Sequence, residues 1–309
     1  MESEQVDSRE GEVEGGPTGA PRWWLHGLLL LATLGTTTAF GVTFAGDRLD
    51  APGWWADPAV WSQGLAYSLS IMAILLAHEL GHYITARRYG VDVTPPFFLP
   101  GFPPFGTFGA FIKMRMERPV TASQLFRIGA GGPYAGFVLA LPLLMIGLAL
   151  SEVQPLPEEL AGAQLGDSLL MMGLVRAFFG VIPQGQDVFL HPMAYAGWVG
   201  MFVTSFNLVP LGQLDGGHIA YTLFGERFNK VAWGLYGALV VLGLLVFQGW
   251  LVLALFLFFM GPKHPPVVEG RVALKGVDRW AGFGALALLV LTFTPRPFNV
   301  SIMDVLSGM

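Results

Sequence analysis

The chain contains no cysteine, which excludes disulfides and thiolate metal ligands. Any transition metal it holds must sit among histidines and carboxylates. Charge is scarce as well. Only 13% of its 309 residues are Asp, Glu, Lys or Arg, against roughly a quarter in a soluble domain. In their place stand 24 Phe, 9 Trp and a hydrophobic share of 53%, the composition of an integral membrane protein whose first partner is the lipid bilayer. The net charge of −5 is concentrated at the N-terminus, where residues 1–22 carry six acids and two arginines. The remainder is nearly neutral, so no nucleic-acid partner is expected. Residues 1–22 read as a disordered acidic tail, and 23–309 as one membrane-embedded domain with its core at about 63–221. The acidic start and the long apolar segment after it argue against a cleaved secretory signal.

A spanning helix needs about 20 mostly apolar residues. Candidates lie at roughly 23–46, 63–88, 128–150, 194–214 and 279–295. Residues 231–260 are long enough for two, turning at "QGW", 248–250. The expected fold is an all-α polytopic membrane protein of about six to seven transmembrane helices. The Pro-, Gly- and Phe-rich stretch 91–119 interrupts the helices, and "GTFGAFIKMRM" within it reads as a short Gly-rich, membrane-associated β-hairpin. Residues 151–192 read as a polar connection with one amphipathic piece around Arg176. Loop charge supplies the orientation. Residues 87–127 hold Arg87, Arg88, Lys113, Arg115, Arg118 and Arg127, whereas 151–192 hold one base and five acids. The positive-inside rule puts the first of these loops in the cytosol. The ends of the second and fourth spans then share the cytosolic side.

Within the second span stands "HELGH", His78 to His82. Residues four apart share one helix face, so both imidazoles can reach a single ion, with Glu79 beside them. This is the arrangement in which paired histidines hold Zn2+ and the glutamate acts as general base. In an apolar helix an idle His-Glu-His set is costly. A catalytic zinc needs a third protein ligand and an open position. Asp215, in "NLVPLGQLDGGHIAY", follows the fourth span at the same expected depth. It is preferred over His218, which is expected beside the ligands or in a structural role. His26, His191 and His264 fall near interfaces and read as structural or solvated.

Together, "HELGH" in one span and "NLVPLGQLDGG" in a later one resemble the site-2 proteases, the zinc metalloproteases that cut inside membranes. "GTFGAFIKMR", "RIGAGGPYAGF" and "HPMAYAGWVG" agree with the bacterial and chloroplast-type branch, and the likeness runs from about Leu65 to Tyr221. It implies one Zn2+ on His78, His82 and Asp215, with Glu79 as catalytic base. It also implies that Asn207 lies near the scissile carbonyl and that Gly106, Thr107, Phe108 and Gly109 form a strand edge for the substrate. The implied substrate is a single-span membrane protein, trimmed first by a site-1-type protease and cut by regulated intramembrane proteolysis. The expected setting is a bacterial inner membrane with the site near the cytosol. An acidic residue is expected where this chain has Arg127. "GAGGPYAG" reads as tight helix packing. Two other classes stay open: an inactive relative that binds or escorts membrane proteins, and a metal transporter.

Overall fold

The computed structural model describes residues 22–115, 119–156, 165–266 and 274–298. The acidic tail, except its last residue, lies outside them. Nine α-helices dominate the described residues. They are α1 (Trp23–Val42), α2 (Pro58–Arg88), α3 (Ala122–Ala149), α4 (Leu169–Phe179), α5 (Pro192–Asn207), α6 (Asp215–Phe224), α7 (Glu226–Leu245), α8 (Gly249–Met260) and α9 (Gly276–Thr292). Three antiparallel strand pairs punctuate them: β1 (Asp92–Val93) with β4 (Met114–Arg115), β2 (Phe97–Pro100) with β3 (Thr107–Phe111), and β5 (Glu152–Pro155) with β6 (Gln186–Phe189).

Four helical segments among the described residues are long and apolar enough to cross a membrane: Trp23–Asp50, Pro58–Arg88, Ala122–Ala149 and Glu226–Leu245. The chain is an integral membrane protein. The break expected near 248 falls at Val246–Gln248, between α7 and α8. At 12 residues α8 extends only about 18 Å, short of a hydrocarbon core of about 30 Å. Apolar side chains point outward over the surface, with Leu245, Phe259 and Trp280 each more than three-quarters exposed. Such a surface, on helices of this length and composition, suits contact with lipid.

α2, α3 and α5 form the centre. Tyr67, Ile71, Ile74 and Leu75 of α2 meet Ala140, Leu144 and Leu148 of α3 and Ala194, Trp198 and Val199 of α5, all buried. Lipid provides no hydrophobic drive between helices, so close packing and polar contacts hold them. Gly81 and Gly131 illustrate the first. A Cβ on Gly81 would overlap the Gly131 carbonyl, and one on Gly131 would stand 2.7 Å from the Gly81 carbonyl oxygen. Thr37 and Ser68 illustrate the second, with hydroxyls 2.6 Å apart between α1 and α2.

Helix starts follow local chemistry. Asp57 accepts from the Ala59 amide at the start of α2, with Pro58 in the first turn. Thr121 and Gln124 form a capping box on α3, contributing about 1 kcal/mol. Arg127, found where an acid was expected, donates through Nε to Asp278 of α9 at 3.0 Å and through a terminal nitrogen to the Tyr89 hydroxyl at 3.0 Å. Its role is to tie α3 to α9.

Candidate metal centre

α2 carries His78, Glu79 and His82, all buried. The helix runs 31 residues, about 46 Å. Its last turn holds Arg87 and Arg88, so His82 and His78 stand only about 8 and 14 Å along the axis from Arg87. The histidines are therefore near one end of the helix, not at its middle.

Asp215 comes from elsewhere in the chain. α5 ends at Asn207, the segment 208–214 turns, and Asp215 opens α6. Gly216 and Gly217 make that approach possible. A Cβ on Gly216 would overlap the Leu208 carbonyl, and one on Gly217 the Gly212 carbonyl. Leu214 occupies the helix cap without a side-chain bond. The Asp215 carboxylate is thus not spent on capping, and it points at the two imidazoles.

The resulting geometry is a triangle. His78 Nε2 and His82 Nε2 are 3.2 Å apart. Asp215 Oδ2 is 3.4 Å from the first and 3.2 Å from the second. Ligands at about 2.0–2.1 Å from a tetrahedral zinc are separated by ~3.3 Å, so the three atoms fit around one ion. The donor set, two imidazoles and a carboxylate, suits zinc and leaves a fourth position open. His82 Nδ1 donates to the Ile128 carbonyl at 2.7 Å, which leaves Nε2 with the lone pair a metal requires. These three residues form the one such cluster found among the described residues.

Room for the rings comes from α3. A Cβ on Gly132 would overlap His82 Nε2, and one on Gly136 would stand 3.2 Å from His78 Nδ1. "GAGGPYAG" does pack helices tightly, as read from the sequence, and its glycines also make the wall against which the imidazoles lie. Spacing alone gave a partial signal, since positions 132 and 136 share a helix face.

The other sequence candidates fall as follows. Asn207, at the end of α5, brings its amide Nδ2 to 3.3 Å from His78 Nε2. Gly106, at φ +70°, lies in the turn before β3 and is held by α1, its carbonyl accepting from Thr36 Oγ1 at 2.7 Å. Thr107 is buried and donates to Leu99 of β2. Phe108 projects outward, and Gly109 pairs with Leu99. None of these four is hydrogen-bonded to the triangle, but their strand leads to Glu79 beside it. The backbone N–H of Ile112, just past β3, lies beside the Glu79 carboxylate. Ile112 escaped the sequence reading, because no side-chain type marks a backbone donor.

His218 is not part of the triangle. Its Nδ1 lies 2.6 Å from His264 Nε2. His264 is buried at 2% exposure, the structural rather than the solvated of the two alternatives read from the sequence. His191 caps α5 by accepting from the Met193 amide, and His26 bonds the Pro96 carbonyl through Nδ1.

Comparison with known proteins agrees with this centre. Residues 66–247 match the model of Peptidase family M50. The chain is 30% identical over 291 residues to a protein of Arabidopsis thaliana named probable zinc metalloprotease EGY2, chloroplastic, covering 91% of this chain and 50% of that protein. It is 30% identical over 315 residues to the one named EGY1 from the same plant, covering 93% and 56%. A rice protein named EGY1 (Oryza sativa subsp. japonica) is 32% identical over 242 residues, covering 75% and 40%. The chain therefore spans about half the length of the curated relatives it matches. With a matching zinc-type donor triangle and this extent of likeness, the chain belongs to peptidase family M50, the site-2 protease family of zinc metalloproteases.

Proposed function

We propose that this protein hydrolyses peptide bonds within or near transmembrane segments of membrane-protein substrates, using one Zn2+ held by His78, His82 and Asp215. The observation that carries the proposal is the ligand triangle with Glu79 adjoining it on α2. Zinc, when bound there, polarises the scissile carbonyl and makes water a nucleophile near neutral pH. Glu79 takes a proton from the attacking water and returns it to the leaving amine. The Ile112 amide beside its carboxylate offers Glu79 a donor without supplying a competing proton acceptor. Asn207, its amide beside His78, donates to the carbonyl oxygen as charge builds there.

A helical substrate hides its carbonyls in its own hydrogen bonds and must unwind to be cut. An extended strand added to a sheet edge regains those bonds. β3 offers such an edge. Phe111 pairs with Phe97, and Lys113 exchanges bonds with Thr94. Backbone groups alternate sides along a strand, so Ala110 and Ile112 face the other way, Ile112 towards Glu79. In this reading the Phe108–Ile112 edge receives the substrate, with Gly106 and Thr107 anchoring it from behind.

The proposal extends to a single-span protein as substrate, cut by regulated proteolysis after trimming by a site-1-type protease. It also extends to six or seven spans in a bacterial inner membrane, with the site opening towards the side rich in Lys and Arg. The relatives are named chloroplastic, and fractionation of the native cell distinguishes the two settings. The test of the activity is incubation of the purified full chain in proteoliposomes with a labelled single-span protein. Cleavage is expected with zinc, none after chelation, and none from Glu79→Gln that still holds stoichiometric zinc. Binding of the span without cleavage by a zinc-loaded wild type would instead favour an escort, and zinc uptake into the vesicles a transporter.

A further inference from the structure

α8 ends at Met260, and the residues just after it lie against α6. The described residues of this segment, 261–266 and 274–275, meet that helix or the turn before it at three places. The Gly212 amide, before α6, donates to the Pro262 carbonyl at 2.9 Å. In the middle, His218 Nδ1 meets His264 Nε2 at 2.6 Å. At the far end the Leu274 amide donates to the Thr222 carbonyl at 3.3 Å.

His264 is held on several sides. Asn229 of α7 clamps its backbone from both sides, accepting from its amide at 2.9 Å and donating to its carbonyl at 3.1 Å. The ring lies flat on Tyr221, with centroids 4.3 Å apart and planes at 8°. Its Nδ1 is 2.6 Å from the Pro265 carbonyl. A carbonyl only accepts, so that nitrogen carries the proton. A charged ring buried to this degree with no carboxylate bonded to it is costly, so His264 is neutral and its Nε2 offers a lone pair. His218 Nδ1 must then be the donor. That fixes the tautomer and orientation of a ring whose Cβ is packed against Gly129 of α3, one turn after Asp215 on the same helix face.

We propose that His264 is a positioning residue for the metal centre: by accepting from His218 Nδ1 it pins the first turns of α6, and so keeps Asp215 Oδ2 within the ligand triangle. The inference rests on Asp215 being a ligand. Partners outside the ligand set commonly govern affinity in this way, at about 10–100-fold per lost contact.

The test uses the full chain in proteoliposomes. Zinc affinity is measured by chelator competition for wild type, His264→Phe, His264→Gln and Asp215→Ala, and histidine tautomers by 15N spectroscopy with and without zinc. His264→Phe keeps the face on Tyr221 but loses the acceptor, and zinc binding is expected to weaken about 10–100-fold. His264→Gln restores an acceptor and is expected to recover most of that loss. A purely space-filling role predicts the reverse order. His218 is expected in the Nδ1–H form in wild type and in metal-free protein alike. Wild-type zinc affinity in His264→Phe, equal losses in Phe and Gln, or an Nε2–H His218 would overturn the inference. If His264→Phe does not fold, the wild-type tautomer decides. Asp215→Ala separates the two levels: undiminished zinc there overturns the ligand assignment itself, whereas lost zinc there with normal zinc in His264→Phe overturns only the role of His264.

Discussion

Gly132 and His82 touch so closely that no side chain fits between them: a Cβ at 132 would overlap the ring nitrogen aimed at the metal position. The contact is between α3 and α2, the two most extensively packed helices. A metal ligand is thus held in place by the absence of an atom on its neighbour.

Gly132→Ala is therefore expected to displace His82 and abolish stoichiometric zinc binding, although alanine is the better helix former by about 1 kcal/mol. Gly173→Ala, on α4 with open space around it, serves as the control and retains full zinc. Metal analysis of the two purified variants checks this, and full zinc in Gly132→Ala would show that α3 yields where the packing says it does not.

Asn207→Ala is expected to separate catalysis from metal binding. Its amide approaches His78 Nε2 but adds no metal-ligating carboxylate or imidazole. Loss of a donor to a developing oxyanion costs about 10²–10³ in kcat. Steady-state kinetics on a labelled span, beside zinc content, should give that loss with zinc intact. A rise in KM alone would assign Asn207 to ground-state binding.

Asp167 yields a pH prediction away from the membrane-spanning helices. It lies between β5 and α4, where burial pushes its carboxyl upward and the nearby Asp187 adds to the shift. A carboxyl raised in the folded state binds more protons there than in the unfolded chain, so stability falls as pH rises through its range. Asp167→Asn removes the ionisation and is expected to raise Tm at pH 7. The gain should vanish below about pH 4, where the unfolded carboxyl is protonated as well. Thermal unfolding at pH 4 and pH 7 checks the sign, and an equal effect at both would remove ionisation as its cause.

Much of the metal centre was legible because its logic is local or topological. His78 and His82 follow from a four-residue helical repeat. Asp215 followed from counting spans and asking which carboxylate shares their depth. The break between α7 and α8 was visible in a single Gln-Gly-Trp. What escaped depends on contacts without periodicity. β5 and β6 pair across an intervening helix, so nothing in either strand's sequence points to the other. His264 meets His218 across 46 positions, through a strap that carries no helical or strand signature. Arg127, foreseen as a departure, gained its meaning only when Asp278 was found opposite it.

The contact of Gly81 with Gly131 has a mechanical consequence. Where two backbones meet directly, no side chain can change rotamer to absorb a displacement. Sliding α2 along α3 drives a carbonyl into an α-carbon, so the two move as one slab. That slab carries both imidazoles and works as an anvil.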